Sequence, residues 1–447
     1  MKGVSMESLA RPFVVLVGRW YPDAYVFAIA LTLLTFLLAV LLTETGPLEA
    51  VDMWGDGLSG LLAFTTQIAL TLVLAHALAH TDGVRGVLAG VASLPRTAFA
   101  AYFTVAVATS AASLIAWSFG LAAGALLAGE VARQGMRRGL DLDYPLLVAS
   151  AYSGFVVWHM GYSGSASLFV ATPGHAMEAA TGVIPVTETI FAPWNLLIAA
   201  VVVPVVALLC AQMRPTQTTP LPEHLHVVED ERERPPASPG QWLEQWRLPT
   251  LVMGALLLLW LARFFVREGL ALNLNVVNWS FLAAGLLLAR SPVHYVRLVT
   301  RAGSTLGPIM LQYPFYAGIM GLMAGSGLVF VMSDFFVRIA TPATLPFWAF
   351  ISGGLVNFFV PSGGGQWVVQ GPVFIEAAKA LDVPIPQVVM GVAYGDQWSN
   401  LIQPFWTIPL LAIAGIAMRR VLGYCFVTFI ASGLLFGGGL LLVGALT

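Results

Sequence analysis

Residues 353–406 read GGLVNFFVPSGGGQWVVQGPVFIEAAKALDVPIPQVVMGVAYGDQWSNLIQPFW, and no other stretch restricts the fold as much. An apolar run, Phe347 to Val360, stops at Pro361-Ser362-Gly363-Gly364-Gly365, and a second run, Trp367 to Ala380, starts at once. A full bilayer span takes about 20 apolar residues, so neither run crosses comfortably alone. A break made of Pro, Ser and three Gly exposes backbone N–H and C=O groups. At membrane depth that is tolerated only where the break is buried in protein or lines a watery cavity. The stretch predicts two half-helices meeting at a glycine-rich tip, a re-entrant hairpin near 346–380. The plainer alternative is a loop between two complete spans. A second break, at Gly395-Asp396-Gln397-Trp398-Ser399-Asn400 with Gln403-Pro404 beyond it, predicts a broken helix near 386–418.

Composition says what kind of solvent these runs meet. Of 447 residues, 58% are hydrophobic and 10% charged, and the mean hydropathy is +0.82. Soluble domains carry about 25% charged residues, so this is a polytopic membrane protein. A net charge of −2 gives no attraction to nucleic acid. Cys210 and Cys425 both lie in apolar segments and read as packing thiols, not as a disulfide or metal site. No cleavable leader is evident, and residues 5–20 fit an amphipathic interfacial helix. The one long polar stretch, 213–247, is rich in Pro and charge and predicts a flexible cytoplasmic linker.

That linker divides the chain into halves, 1–212 and 248–447, with motifs in the same order. In the first half Ser118 follows an apolar run, Ala151-Tyr152 comes 34 positions after Ser118, and a polar run spans His159 to Ser167. In the second, Ser362 lies at the tip, Ala393-Tyr394 follows with Tyr394 at 32 positions, and then the Gln397–Gln403 cluster. The first half is therefore expected to hold a hairpin near 97–134 and a broken helix near 145–172. With a cytoplasmic N-terminus and two re-entrant hairpins, Arg263, Arg267, Arg338 and Lys379 fall outside and the other 17 of 21 Lys and Arg inside. Without the linker's four arginines the split is still 13 to 4. Positive residues favour the cytoplasmic side. The hairpins then enter from opposite faces, an inverted repeat of the kind common in secondary transporters.

At Val360-Pro361-Ser362-Gly363-Gly364-Gly365-Gln366-Trp367 and Gly395–Trp406 the chain resembles the short-chain fatty acid transporter family, the bacterial acetoacetate and butyrate uptake type, within the ion transporter superfamily. The His159–Ser167 run and Asn278-Trp279 also fit it. The likeness covers nearly the whole chain. It implies an all-α fold with a scaffold domain, a transport domain with two opposed hairpins, often a homodimer, and a bacterial inner-membrane location.

The chemistry asked of such a chain is to hold a small carboxylate without an irreversible salt bridge. Neither hairpin tip and neither broken segment contains Lys or Arg, so neutral donors must do it. Free N–H groups of second arms starting after Gly120 and Gly365 would point to the midplane. The candidate substrate-binding residues are Ser118, His159, Ser163, Ser165, Ser362, Gly363, Gly364, Gln366, Ser399 and Asn400. For Ser163 and Ser165 the alternative is small-residue helix packing; for His159 it is a satisfied core histidine. Asp396 is a costly intramembrane carboxylate whose default reading is functional. With Gln397 it is expected to couple transport to a cation: a proton, or a sodium ion near Ser118, Ser362 and Asp396. Its structural alternative is a cap for the exposed N–H groups at the break. No other cofactor is expected.

Two other classes compete. Gly161-Tyr162-Ser163-Gly164-Ser165 nearly matches a nucleophile elbow, and His159 and Asp396 would complete a triad. However, Ser165 replaces the last glycine, and the motif needs a strand-turn-helix context. A channel, or a carrier for another small carboxylate, is the second alternative.

Overall fold

The structure, a computed structural model, describes residues 6–175, 177–225, 235–269, 273–303 and 306–446. Within them the chain is helical and has no strand. Helices α1 (Met6–Trp20), α2 (Ala24–Leu42), α3 (Pro47–Gly57), α4 (Leu62–Ala79) and α5 (Asp82–Ala92) come first. A helix pair follows, α6 (Ala98–Ile115) and α7 (Trp117–Arg137). An interrupted helix comes next, made of α8 (Tyr144–Gly154), a 3-10 stretch Phe155–Met160, and α9 (Ser165–Ala171). The short α10 (Glu178–Thr181) and α11 (Pro193–Gln212) end the first half. Then come α12 (Pro239–Gln245), α13 (Leu248–Glu268), α14 (Leu274–Leu288), α15 (Pro292–Gly303), α16 (Gly307–Gly325) and α17 (Leu328–Arg338). A second pair, α18 (Leu345–Val356) and α19 (Gly363–Ala380), precedes a second interrupted helix, α20 (Ile385–Ser399) with α21 (Pro404–Ala414). The last helix is α22 (Leu422–Leu446).

Local sequence sets many of these starts. The side chains of Asp23, Thr97, Asp143, Ser238 and Asn273 accept backbone N–H groups two or three residues on, each worth about 1 kcal/mol. Helices α2, α6, α11, α22 and the stretch Pro239–Glu268 are long and apolar enough to cross a membrane. Met310–Gly325 with Leu328–Arg338 makes a sixth span if that pair, bent by 63°, is taken as one. Exposed Leu33, Leu37 and Leu41 on α2, and Leu256, Leu259 and Trp260 on α13, suit a lipid contact. The chain is a multi-pass helical membrane protein.

Several boundaries differ from the sequence reading. Gly363, Gly364 and Gly365 are not a loop but the first turn of α19, so that arm has 18 residues. The other second arm starts at Trp117, not after Gly120, whose N–H already bonds to Ala116 O at 2.9 Å. The break of the second interrupted helix is Asn400–Gln403, because α20 runs unbroken through Ser399. Glycine and polar residues do not stop a helix whose neighbours bury it, and Pro404, at the start of the next helix, fixes the restart. Between α16 and α17 the chain turns at Gly327, whose φ of +73° suits glycine. The polar stretch is not irregular throughout, since Ser238 caps a helix at Pro239–Gln245. Its middle, 226–234, lies outside the described residues, as do residues 1–5.

The two helix pairs have their bases at opposite ends of α22. The base of the first pair reaches the start of α22: Asp143 N–H donates to Tyr102 Oη at 2.8 Å, and Tyr424 Oη donates to Asp143 at 3.2 Å. At the second pair's base, Ala343 presses against Gly444 near the end of α22. The helix is 25 residues long, about 37 Å at 1.5 Å per residue, and the contacts at Tyr424 and Gly444 lie near its two ends. The arms of the first pair run antiparallel in close contact, Gly120 on Ser113 and Gly124 on Thr109. In the second pair α18 instead packs on α20, where Gly353 meets Val392 and Gly395 meets the Phe350 carbonyl. The side chains of Gln366 and Gln370 bridge α18 and α19.

Candidate functional site

Both tips reach the first interrupted helix. At the first tip, Ala116 is extended, and the freed Trp117 N–H donates to Ser163 Oγ at 2.8 Å. Tyr162 N–H donates to Leu114 O at 2.7 Å, and Gly161 lies directly on Leu114. Only glycine fits there, because a Cβ would stand 2.1 Å from the Leu114 carbonyl oxygen. At the second tip, Gly363 lies against the His159 ring and Ser165. A Cβ on it would be 2.3 Å from His159 Nε2 and 2.6 Å from Ser165 Oγ. Ser362 is the N-cap of α19, but its side chain makes no capping bond. The N–H groups of Gly363, Gly364 and Gly365 have no partner among the described residues. An uncapped helix start with three unpaired N–H groups and one close-approach glycine, Gly363, suits a negative charge.

Behind this helix start lies a buried polar cluster. His159 belongs to the 3-10 stretch, and its N–H donates to Gln397 Oε1 at 2.9 Å. Its Nε2 is 3.7 Å from Asp396 Oδ1. Asp396 sits in the last turn of α20, where Asn400 Nδ2 donates to Oδ1 at 3.0 Å. Asp396, Gln397, Ser399, Asn400 and His159 are fully buried. Asp396 Oδ2, Gln397 Nε2 and both His159 ring nitrogens have no hydrogen-bond partner among the described residues, nor has Ser118 Oγ. Buried polar atoms are normally paired, so these are the atoms left available to a ligand, an ion or water. A wall of rings, Trp158 on His159 at 3.6 Å and Trp117 on Trp406 at 4.8 Å, flanks the cluster. No group of three or more His, Cys, Asp or Glu able to hold a metal ion occurs among the described residues.

The residues singled out from sequence fall into two sets. Ser118, His159, Ser165, Ser362, Gly363, Gly364, Asp396 and Gln397 stand at the tips or in the cluster with groups left over. Ser163, Ser399 and Asn400 are committed to other protein groups, as is the amide nitrogen of Gln366, whose buried Oε1 is left over. Ser163 caps Trp117, and Gln366 Nε2 donates to Gly353 O and Gln370 Oε1. Ser399 Oγ and Asn400 Oδ1 accept from Asn357 Nδ2 at 2.8 and 2.7 Å.

Asn357 is a residue the sequence reading passed over. It also donates to Asp396 O, and its own carbonyl accepts from Gln403 Nε2 at 2.9 Å. It thereby ties the second tip to both sides of the break at 400–403. The signal was present: an amide inside the apolar run Phe347–Val360 has to find partners. Tyr152, noted in the sequence only as a repeat marker, donates from Oη to Asn400 O at 2.5 Å. Asn195, which joins Met160 O to Tyr394 Oη, was passed over like Asn357.

Comparison with known proteins adds identity to this geometry. Among solved structures, the Alcanivorax borkumensis YdaH transporter aligns over 95% of this chain and 98% of its own, with 15% identity and a TM-score of 0.45. Neisseria gonorrhoeae MtrF, described as illuminating a class of antimetabolite efflux pumps, covers 98% and 97% with 15% identity and a TM-score of 0.36. Scores of that size do not establish a shared fold. Sequence relatives are much nearer. An Escherichia coli protein named "Putative short-chain fatty acid transporter" is 43% identical over 95% of this chain and 97% of its own. A Haemophilus influenzae protein of the same name is 37% identical over 97% and 99%. The family model for short chain fatty acid transporters matches residues 5–443. Such a match over nearly the full length sets the hydrolase alternative aside, and the chain belongs to the short-chain fatty acid transporter family, a family of membrane transporters and not of enzymes.

Proposed function

We infer that the protein is a secondary active carrier that moves a short monocarboxylate, of the butyrate or acetoacetate kind, across the bacterial inner membrane together with a cation. The observation that carries this reading is the uncapped start of α19 lying on His159, with Asp396 directly behind. The substrate carboxylate binds the N–H groups of Gly363 and Gly364 with the hydroxyls of Ser362 and Ser165, and Ser118 closes the pocket from the first tip. Ser163, Gln366, Ser399 and Asn400 hold the tips in place. No Lys or Arg takes part, so the anion can leave again.

His159 lies between the helix start and Asp396. An ionised Asp396 disfavours a second negative charge nearby, and a proton shared by His159 and Asp396 removes that repulsion. Cation first, substrate second, then movement of the loaded site is a coupling sequence. A sodium ion near Ser118, Ser362 and Asp396 would serve the same end. The two helix pairs are read as re-entrant hairpins of an inverted repeat, with the N-terminus cytoplasmic. The bases at opposite ends of α22 and the 17-to-4 split of basic residues support that reading.

Uptake of labelled butyrate and acetoacetate into proteoliposomes tests it, with proton and sodium gradients imposed separately. Saturable accumulation driven by the proton gradient is expected. Accumulation driven only by sodium replaces the proton, and non-saturable flux replaces the carrier with a channel. Asp396→Asn keeps the hydrogen-bonding shape and removes the ionisable group, so it should stop gradient-driven accumulation while substrate exchange persists. Wild-type dependence on both gradients in that variant would reduce Asp396 to a structural cap. Cys210 and Cys425 are buried, so cysteines placed at the exposed Thr341 and Asp382 report topology cleanly. Both should label from the outer side, and labelling from opposite sides refutes the second re-entrant hairpin.

A further inference from the structure

A cavity of about 590 Å³ lies at the end of the molecule where α22 begins, lined by no residue of the buried cluster. Its wall is one face of α1, residues Ala10, Arg11, Val14 and Gly18, at helical spacing. Facing it are Arg419 and Arg420 from the turn before α22, with Asp143, Thr219 and Tyr424. Arg11, Arg419 and Arg420 are exposed and have no ion-pair partner among the described residues. Arg214, which does not line the cavity, is paired with Asp141. The one carboxylate in the wall is already engaged. Asp143 Oδ1 accepts the Thr219 N–H at 2.7 Å, and Oδ2 accepts from Leu146 N–H and Tyr424 Oη. Three free guanidinium groups around a hollow suit a phosphate, which they can grip through forked, charge-assisted bonds.

The other sides of α1 show where such a phosphate comes from. Val15, Leu16 and Trp20 are 59%, 53% and 72% exposed, while Val14 packs on Gly423 and Phe13 stacks on Phe426 of α22. An amphipathic helix with that division lies in the headgroup region with its apolar side in the acyl chains. We propose that this cavity binds the phosphate headgroup of an anionic phospholipid, whose chains cover the outward apolar side of α1. Basic pockets at the cytoplasmic side of membrane helices are built for such headgroups. The proposal is independent of the transported substrate, since no residue of the buried cluster takes part.

The test uses the full-length protein, stripped of lipid in detergent. Phenylglyoxal labelling of Arg11, Arg419 and Arg420, read by peptide mass spectrometry, is compared after adding phosphatidylglycerol, phosphatidylcholine, inorganic phosphate or butyrate. Protection by phosphatidylglycerol alone is the expected result. Equal protection by inorganic phosphate or butyrate at the same concentration overturns the lipid assignment in favour of a soluble anion, and no protection overturns the site. This wild-type measurement stands even if variants fail to fold. In native mass spectrometry, Arg11→Gln/Arg419→Gln/Arg420→Gln should lower phosphatidylglycerol affinity roughly a hundredfold. The control Arg263→Gln/Arg267→Gln/Lys379→Gln removes as many charges elsewhere and should retain it. Equal retention by both triple variants refutes the proposal.

Discussion

The two helix tips touch the same short segment, residues 159–165, in opposite ways. The first is a single extended residue, Ala116, after which the freed Trp117 N–H is taken by Ser163, with Gly161 locked onto Leu114. The second spans 357–362, is tied by Asn357 to the end of α20, and leaves the start of α19 uncapped against His159 and Ser165. At the first tip the leading N–H is taken by the protein itself and the Ser118 hydroxyl is left over, so this tip is the more fixed of the two. A tip with donors left over can take a ligand. The arms repeat the contrast: α6 and α7 close on each other through Ser, Thr and Gly, whereas α18 sides with α20 and meets α19 through glutamine side chains.

Substitutions at matched positions sharpen this contrast, from the largest effect to the smallest. Gly161→Ala pushes a Cβ into Leu114 backbone, which cannot yield. Beyond the usual overpacking cost of about 1–3 kcal/mol, it should prevent recovery of monodisperse protein. A folded, active Gly161→Ala would show that the first tip is not locked. Gly363→Ala meets side-chain ends, the His159 ring and Ser165 Oγ. It should cost about 1–3 kcal/mol in melting of the purified protein and, more tellingly, abolish substrate uptake in protein that still folds. Wild-type uptake would remove the second tip from the site. Ser163→Ala strips the cap from Trp117 N–H and should cost about 1 kcal/mol, with substrate affinity unchanged; a large rise in KM would make Ser163 a binding residue. Gly364→Ala has only ordinary contacts, the nearest being Ser165 Cβ at 3.6 Å. Its stability should stay within about 0.5 kcal/mol of wild type.

The mixed legibility of the site follows from what sequence spacing can encode. Pro361, Pro404 and their flanking glycines and amides marked the neighbourhood of each break, but the helix limits moved by several residues. Glycine tolerates a helix as readily as a turn when neighbours bury it, so Gly363–Gly365 became a first turn and Gly395–Ser399 stayed helical. Asn400, Ser399 and Gln366 looked like ligand donors because they are polar groups in apolar surroundings. Their commitment to Asn357, Gly353 and Gln370 depends on which helix packs beside which. Asn357 was overlooked for the converse reason, since nothing local says that its one amide serves three acceptors.

By itself the sequence determined that this is a multi-pass helical membrane protein, because a chain 58% hydrophobic and 10% charged has no other solvent. It also determined the family, through motifs that run along nearly the whole chain. Only the tertiary structure decided that His159 and Gln397, 238 positions apart, share a hydrogen bond, and that His159 separates Asp396 from the start of α19. The physical reason lies in the helices that bring them together. In lipid their apolar surfaces are nearly interchangeable, and partners are chosen by the fit of small residues and a few buried hydrogen bonds. That fit is a property of two surfaces at once, and no spacing within either segment records it.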